Sequence, residues 1–309
     1  MLNAQDVIRE MSIDIGILPG HLREIIKTAP LRYKTFKVPK KNGGERDVAQ
    51  PAREVKKIQR WMIKKLTPLL PIHDAVTAYR TGFSIKENAA AHAGNNFLLK
   101  VDFKDFFPSI IRDDIEKHLG KYCGECYDST AIALLSYCLC WAPKRMPPLR
   151  LCIGAPSSPL ISNSILFDFD LAVSCAAKDL GVTYTRYADD ISFSTAKRGD
   201  LDKMLERIKS IICSVDYPAL KINPSKTVFA SRKGSKIVTG LILTPDRKLS
   251  VGRERKKIAR AMYHRLRCGL LSQEEQEQLT GLLAFIESIE PGFRERLQIS
   301  YNSKSQDQI

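Results

Sequence analysis

The chain has 309 residues, of which 44% are apolar, and its 49 Lys and Arg against 34 Asp and Glu give a formal net charge of +15 at pH 7. This composition is typical of a soluble globular protein with about two domains, or with one large lobed domain. The basic excess favours an anionic partner, with nucleic acid ahead of an anionic membrane. Because no run of about 18 apolar residues occurs, we predict no membrane-spanning helix and no membrane partner.

The cysteines and the N-terminus bear on the compartment. Residues 1–16 contain acids and no apolar core, so we expect no signal peptide and a cytoplasmic location. The eight cysteines are scattered, as reduced thiols are. Cys123 and Cys126 have the spacing of half a zinc site, but their nearest companions, Cys138 and Cys140, are separated by one residue only. We favour buried thiols over a zinc ion.

The N-terminal third is predicted to hold two helices, a β-hairpin and a third helix. Alternating polar and apolar residues indicate the strands, and apolar residues at helical spacing with Lys and Arg between them indicate the third helix. The predicted ranges are 2–31 for the first two helices, with a break near Pro19-Gly20, 32–39 and 45–49 for the strands, 40–44 for the turn, and 52–67 for the third helix.

The rest of the chain interleaves helices with antiparallel strands. No Rossmann or P-loop glycine pattern is present, so we predict an α+β fold with a central sheet. The predicted elements are a buried strand at 97–103, a helix from Asp113, a tight loop at 154–159, one long helix at 160–179, a hairpin at 182–194, a helix at 201–215, short strands near 227–230 and 236–243, and helices over 253–301 with a break at Pro291-Gly292.

The hairpin at 182–194 carries two acids at its tip, in the run Tyr187-Ala188-Asp189-Asp190. Two adjacent carboxylates repel each other unless a cation lies between them. An acidic turn without any function is the alternative, and for an Asp-Asp pair taken alone that alternative is the more common one. The strong hairpin pattern on both sides favours a presented pair.

Asp102 is a third candidate ligand, because it ends the apolar strand at 97–103 and a buried acid is costly unless it is used or paired. If that strand neighbours the hairpin, three carboxylates converge. Such a site can hold two Mg²⁺ ions for phosphoryl transfer, one activating the attacking oxygen and one steadying the leaving group. A helix cap or a salt bridge at Asp102 is the alternative.

Six stretches together resemble the reverse transcriptases of bacterial retrons, in the order in which that family has them. They cover roughly residues 30–300. Six motifs in order are far more specific than one. The stretches are Asn88-Ala-Ala-Ala-His92, Asp102 to Phe107, Gly154-Ala-Pro-Ser-Ser-Pro159 followed by Asn163, Tyr187 to Asp190, Leu220 to Thr227, and Val238-Thr239-Gly240.

This resemblance implies a right-hand polymerase fold. It implies N-terminal helices and fingers over residues 1–98, a palm over 99–240 with a fingers insertion at about 120–155, and a helical, RNA-binding thumb over 241–309. It also implies two Mg²⁺ ions and deoxynucleoside triphosphates as cofactor and substrate. Asp102, Asp189 and Asp190 would bind the metal with the carbonyl of Phe103.

The resemblance further implies a nucleotide pocket. Phe107 would exclude a ribose 2′-OH, and Lys226 would protonate the departing pyrophosphate. A surface lysine that caps a helix is the alternative for Lys226, and a solvated basic turn is the alternative for Lys40, Lys41 and Arg46. Many reverse transcriptases have Pro-Gln before the loop glycine, where this chain has Cys152-Ile153, so the polar contact of that glutamine side chain is absent. The remaining pocket residues would be Lys40, Lys41, Arg46, Gly154, Ala155 and Pro156.

Nucleic-acid contacts are predicted in three places. Asn88 and His92 would share a helix face, either supporting the fingers or binding the cognate RNA. Val238, Thr239 and Gly240 would lie near the primer and the RNA, or simply end a strand. The thumb would track phosphates with a lopsided basic run, and Tyr263 or His264 would stack on a base. That run comprises Arg253, Arg255, Lys256, Lys257, Arg260, Arg265 and Arg267.

The function implied by the resemblance is that of a retron RNA-directed DNA polymerase. Such an enzyme binds its own non-coding RNA, primes from the 2′-OH of a guanosine, and makes single-stranded DNA that stays joined to the RNA. Retron systems are implicated in anti-phage defence with a separate effector protein of nuclease or ATPase type. The alternatives are a group II intron type, whose usual extra regions find no room here, and a non-catalytic RNA scaffold of a toxin–antitoxin complex, which would not need the three acids.

Overall fold

The computed structural model describes residues 1–39, 43–231 and 234–306, with side chains as far as Tyr301. Its helices are α1 (Ala4–Ile15), α2 (Pro19–Thr28), α3 (Arg53–Leu66), α4 (Ile85–Ala90), α5 (Phe106–Ser109), α6 (Arg112–Cys123), α7 (Ser129–Leu139), α8 (Ser158–Ile165), α9 (Phe167–Asp179), α10 (Asp200–Ser214), α11 (Arg253–Arg267), α12 (Gln273–Ile289) and α13 (Phe293–Gln306). Its strands are β1 (Tyr33–Pro39), β2 (Glu45–Pro51), β3 (Phe97–Asp102), β4 (Thr183–Tyr187), β5 (Asp190–Thr195), β6 (Val228–Ala230), β7 (Lys236–Val238), β8 (Leu241–Leu243) and β9 (Leu249–Ser250).

The first two helices are separated slightly earlier than predicted. The α1 helix ends at Ile15 and is capped by Gly16, whose φ of +68° is a left-handed conformation that glycine adopts without strain. Pro19 opens α2 instead of breaking it. Proline suits a first helical position because its missing N–H would have no partner there. The predicted break near Pro19-Gly20 is present at residues 16–18, directly before Pro19.

A four-stranded antiparallel sheet forms the centre of the molecule, in the order β4-β5-β3-β6. Its apolar face packs on α9 and α10, where Phe169 and Ile208 are fully buried with Phe193 of β5. The strand β3 reads as a nearly continuous apolar run because Leu98, Leu99 and Val101 are all buried. The predicted adjacency of this strand and the hairpin is present.

The early hairpin β1–β2 forms a two-stranded sheet of its own. Its return strand runs on to Pro51, two residues beyond the predicted end. The backbone N–H of Ala49 donates to the carbonyl of Ile153 at 2.8 Å. This bond attaches the hairpin to the loop that precedes α8.

The predicted long helix at 160–179 is two helices, α8 and α9, bent by 48° at Leu166. No proline or glycine causes this bend. The carbonyl of Asn163, which a continuous helix would pair with the N–H of residue 167, accepts from the guanidinium of Arg186 at 3.1 Å. A side chain inserted into the helical hydrogen-bond ladder is a recognised cause of kinks. Within the described part of the chain, no single helix is long and apolar enough to cross a membrane. Only the bent pair α8–α9, taken together, has the length and composition of a membrane span.

The C-terminal part has a second core. The small sheet β7-β8-β9 packs with α11, α12 and α13 around a cluster that includes Val238, Leu241 and Ile286. The predicted helical stretch has a second break, at 268–272, besides the one at Pro291-Gly292. Gly269 (φ +71°) ends the turn after α11, and Ser272 caps α12 in a capping box with Glu275.

Candidate active site

The tip of the β4–β5 hairpin presents the two predicted acids. Tyr187 and Asp190 are the last paired residues, so Ala188 and Asp189 make the turn. Ala188 has a φ of +57°, a conformation that costs a residue with a Cβ about 1 kcal/mol or more. Its carbonyl accepts from Nη1 of Arg186 at 3.1 Å. The turn is thus held in a strained shape by a buried donor.

Asp102 lies directly opposite Asp190 in the β3–β5 ladder. Paired residues of antiparallel strands project to the same face of a sheet, with Cβ atoms about 5 Å apart. Asp102 is only 5% exposed, and its carbonyl accepts from the N–H of Asn223 at 2.8 Å. The three carboxylates therefore meet at one corner of the sheet, as the sequence predicted.

The pKa values of the two hairpin acids reflect their burial and the repulsion between the three carboxylates. Burial, followed by repulsion from Asp102 and Asp190, raises the pKa of Asp189 above its ordinary value. Burial and repulsion from Asp102 also raise the pKa of Asp190, against the attraction of Lys100 and Lys226. A nearby positive charge would therefore stabilise the ionised forms of these carboxyl groups.

Lys226 supplies part of that charge. Its Nζ lies 2.9 and 2.8 Å from the two carboxylate oxygens of Asp102. The salt bridge considered as the alternative for Asp102 is therefore present, with a partner that was itself predicted to be catalytic. A general-acid role for Lys226 requires this pair to separate, because its ammonium is bound by Asp102 in this arrangement.

The donor set fits hard divalent cations, which prefer carboxylate oxygens. In the described part of the chain, however, no group of three or more His, Cys, Asp and Glu side chains has ligating geometry. Both oxygens of the Asp102 carboxylate face the ammonium of Lys226 instead. Asp102, Asp189 and Asp190 would hold a cation once Lys226 moves away.

A cavity of about 530 Å³ opens beside the acids. The half-buried ring of Phe107 contacts it, and Arg46 of β2 lies on its wall. Most of the predicted site residues line it, whereas Asp190 and Pro156 do not, and Lys40 and Lys41 lie outside the described residues. The predicted residues in the lining are Arg46, Asp102, Phe103, Phe107, Gly154, Ala155, Asp189 and Lys226.

The departure at Cys152-Ile153 has a structural counterpart. Gly154 has a φ of +113°, and a Cβ there would lie 2.9 Å from the carbonyl oxygen of Ala49 and 3.0 Å from Val48. Glycine thus permits the loop to lie directly against β2. The backbone carbonyl of Ile153 accepts from the N–H of Ala49, which holds the loop against the hairpin.

Arg186 is the most important residue that the sequence analysis missed. It is fully buried, and its guanidinium bonds both carboxylate oxygens of Asp170 at 2.8 and 2.6 Å. The remaining donors reach the side chain and carbonyl of Asn163 and the carbonyl of Ala188. All five guanidinium N–H groups are therefore used. Strand alternation was the available signal, because Arg186 falls on the same face as the buried Val182 and Tyr184.

Tyr79 is a second residue that the sequence did not single out. It lines the cavity, is 56% exposed, and has a φ of +58°. Burial and the charge of Asp189 raise the pKa of its hydroxyl. Asn163 donates to the carbonyl of the preceding Ala78 at 2.9 Å, which ties this turn to α8.

The prediction that Asn88 and His92 share a helix face is wrong, because α4 ends at Ala90. Direct RNA contact by their side chains is wrong too, since they are 1% and 0% exposed. The ring nitrogens of His92 lie 2.7 Å from Ser194 of β5 and 2.7 Å from Thr185 of β4. Asn88 accepts from Thr77 at 2.9 Å. These residues attach α4 to the central hairpin.

Buried His92 predicts a pH-dependent stability. Burial lowers its pKa to about 4, so the unfolded chain binds a proton below the ordinary pKa of about 6.5 while the folded chain does not. Stability is complete above about pH 6.5 and falls as the pH falls, by about 2 kcal/mol at pH 5. We expect His92→Asn to narrow the difference in unfolding free energy between pH 7 and pH 5 by that amount in urea titrations. The exposed His21→Asn is the control, and an equal pH dependence in wild type and His92→Asn would contradict the assignment.

The Val238-Thr239-Gly240 stretch also has a structural role. Thr239 and Gly240 both have positive φ (+46° and +80°), which makes them a tight hairpin turn between β7 and β8. Val238 is fully buried, so its predicted contact with nucleic acid is wrong. Thr239 donates to the carbonyl of Ile85 at 3.1 Å, and Gly240 accepts from Arg255 at 3.0 Å. The turn joins α4 to α11.

The predicted basic run on α11 divides into two groups. Lys256 is paired with Glu290 at 3.0 Å and Arg265 with Glu275 at 2.9 Å, so we withdraw these two and the carbonyl-bound Arg255 as free phosphate contacts. Tyr263 and His264 pack on Tyr301, with centroids 5.2 and 5.9 Å away, which occupies the rings predicted to stack on a base. The exposed cations on this helix that form no ion pair with the described residues are Arg253, Lys257, Arg260 and Arg267.

Comparison with known proteins identifies the class. The reverse transcriptase (RNA-dependent DNA polymerase) family matches residues 38–274. The chain belongs to that family: it is an RNA-directed DNA polymerase with a right-hand fold, in which the central sheet is the palm. Enzymes of this class require metal ions and deoxynucleotides.

Its relatives narrow the class to retron reverse transcriptases. The chain is 37% identical over 283 residues to the retron Ec83 reverse transcriptase of Escherichia coli, covering 91% of each chain. It is 33% identical over 299 residues to the retron Ec86 reverse transcriptase of the same species, covering 96% of this chain and 88% of that one. Among solved structures, a Candida albicans telomerase bound to a telomeric RNA fragment aligns with a TM-score of 0.48 at 13% identity, over 89% of this chain and 58% of that one.

Proposed function

We propose that this enzyme copies part of its own structured non-coding RNA into single-stranded DNA that stays joined to the RNA. Priming uses the 2′-OH of a guanosine in that RNA, which creates a 2′,5′ bond. The observation that carries this proposal is the convergence of Asp102, Asp189 and Asp190 at the palm corner, in a chain whose relatives are retron enzymes. A pure RNA scaffold has no use for that convergence.

The proposed chemistry uses two Mg²⁺ ions, held by Asp102, Asp189 and Asp190 with the backbone of Phe103. Bound there, the ions would activate the attacking hydroxyl, which is the 2′-OH in priming and the 3′-OH in extension, and would neutralise the charge of the leaving pyrophosphate. Phe107, on the cavity wall, excludes a ribose 2′-OH, and Arg46 contacts the triphosphate. Lys226, once released from Asp102, protonates the pyrophosphate.

The proposed setting is the cytoplasm, in anti-phage defence with a separate effector protein of nuclease or ATPase type. The cognate RNA and its DNA product are the other partners. The net charge of +15 supports a complex with nucleic acid.

Co-expression with the neighbouring non-coding RNA tests this proposal. We expect wild type to yield a branched RNA–DNA molecule whose DNA is released by an enzyme that cleaves 2′,5′ bonds. The Asp189→Ala/Asp190→Ala variant should yield none. A linear DNA with no branch would contradict 2′-OH priming, and absence of any DNA from wild type would contradict the proposal as a whole.

A further inference from the structure

The outer face of α3 carries a row of cations to which the active site assigns no role. Arg53, Lys57, Arg60 and Lys64 are spaced by four, three and four residues, and all four are exposed. At 1.5 Å per residue this row is about 16 Å long, with a cation every 4.5–6 Å. The structure shows no ion pair between any of the four and the described residues. We call these four residues the α3 row.

The α3 row is held rigidly because the opposite face of the helix belongs to the main core. Val55, Ile58, Trp61, Met62 and Leu66 are all buried there. A membrane-surface helix needs an apolar face to insert, and this helix has none left. A groove for single-stranded nucleic acid uses exposed aromatic rings, and Trp61 is only 4% exposed. The remaining chemistry is that of a regular phosphate backbone.

A recess of about 690 Å³ beside the C-terminal half of α3 adds to this surface. Lys57, Arg60, Lys64 and Lys65 line it, with Asp14 as its acid. Asp14 already accepts from Trp61 at 2.7 Å and pairs with Lys65 at 3.3 Å. The recess therefore keeps a positive balance suited to phosphate.

We propose that the α3 row and this recess bind the phosphate backbone of a base-paired RNA stem. None of these residues lines the active-site cavity, so the bound stem is not the stretch being copied. A second grip on the same RNA holds it while the template advances through the palm. The inference rests on the proposed use of a structured RNA.

The test compares two variants with equal loss of charge, each in the full chain. The first is Arg53→Gln/Lys57→Gln/Arg60→Gln/Lys64→Gln. The control is Arg9→Gln/Lys27→Gln/Arg207→Gln/Lys209→Gln, in which each exposed cation already has an acidic partner. Glutamine preserves helix propensity, and thermal unfolding verifies that both variants fold.

Fluorescence anisotropy with a 20-base-pair RNA hairpin, across a salt series, gives the result. Four lost phosphate contacts should weaken binding at least tenfold near physiological salt and reduce the magnitude of the slope of log K against log salt by about 3.6. The control variant should bind like wild type, and both should extend a short unstructured primed template normally. Unchanged hairpin affinity, an equal loss in the control, or a loss confined to single-stranded RNA would each overturn the inference. Absence of DNA synthesis by the wild-type enzyme would instead contradict the proposed function, and not the α3 row inference.

Discussion

Replacing Asp189 with Asn is expected to reduce DNA synthesis at least about a thousandfold, equivalent to about 4 kcal/mol of transition-state stabilisation. Asn keeps the shape of the turn but removes a charge and an oxygen ligand. Because burial and repulsion from Asp102 and Asp190 raise the pKa of Asp189, its charge is unfavourable to the folded chain when no cation is bound. We therefore expect the unfolding midpoint in metal-free buffer to be unchanged or higher.

Asp105→Asn is the matched control for this prediction. Asp105 is an exposed acid on the wall of the same cavity, and its φ of +49° suits Asn equally well. The variant should keep most of the wild-type rate. A comparable loss in both variants would show that net negative charge in the cavity, and not ligation by Asp189, carries the activity.

Replacing Arg186 with Met has the second-largest expected effect. It leaves Asp170 buried without its cation, which costs about 3–5 kcal/mol of stability, and it leaves the carbonyl of Ala188 without its donor. A tip displaced by about 1 Å is expected to reduce kcat about a hundredfold. The KM for deoxynucleotides should change little, because Arg186 does not line the cavity.

A compensated variant separates positioning from stability. In Arg186→Met/Asp170→Leu/Tyr184→Phe the buried ion pair, and the Tyr184 hydroxyl that donates to Asp170 at 2.6 Å, are replaced by apolar side chains, which should restore much of the stability. Activity should stay low, because nothing replaces the donor to Ala188. Met11→Ala, a buried change in α1 with a comparable cost, should keep normal kcat below its unfolding temperature. Recovery of kcat together with stability would reduce Arg186 to a purely structural role.

Local chemistry explains which parts of the fold were predictable. The β4–β5 hairpin, the buried strand β3 and the amphipathic helix α3 follow from alternation and helical spacing, which a sequence displays directly. The second break in the C-terminal helices, near Gly269, could also have been predicted, because Ser272 and Glu275 have the spacing of a capping box. The bend at Leu166 was not, since its cause is a guanidinium from a strand 20 residues later.

The residues of the site likewise fall into those that the sequence predicted and those that depend on tertiary packing. Asp102, Asp189 and Asp190 were predictable, because acids at strand ends and hairpin tips need a reason to be there. The pairing of Arg186 with Asp170 depends on tertiary packing, and a sequence does not show which distant partner satisfies a buried charge. The contacts of His92 with two strands and of Thr239 with α4 are likewise long-range. Exposure decides whether a motif residue contacts a ligand or supports the fold, and exposure belongs to the folded structure.

RNA-templated primer extension tests the central claim most directly. The purified chain would receive a defined RNA template, a DNA primer, deoxynucleotides and a divalent cation, and the product would be sequenced. The account predicts DNA complementary to the RNA from wild type and from Asp105→Asn, and none from Asp189→Asn/Asp190→Asn. Absence of complementary DNA from wild type, or its persistence in the double variant, would contradict the assignment of these acids as the polymerase centre.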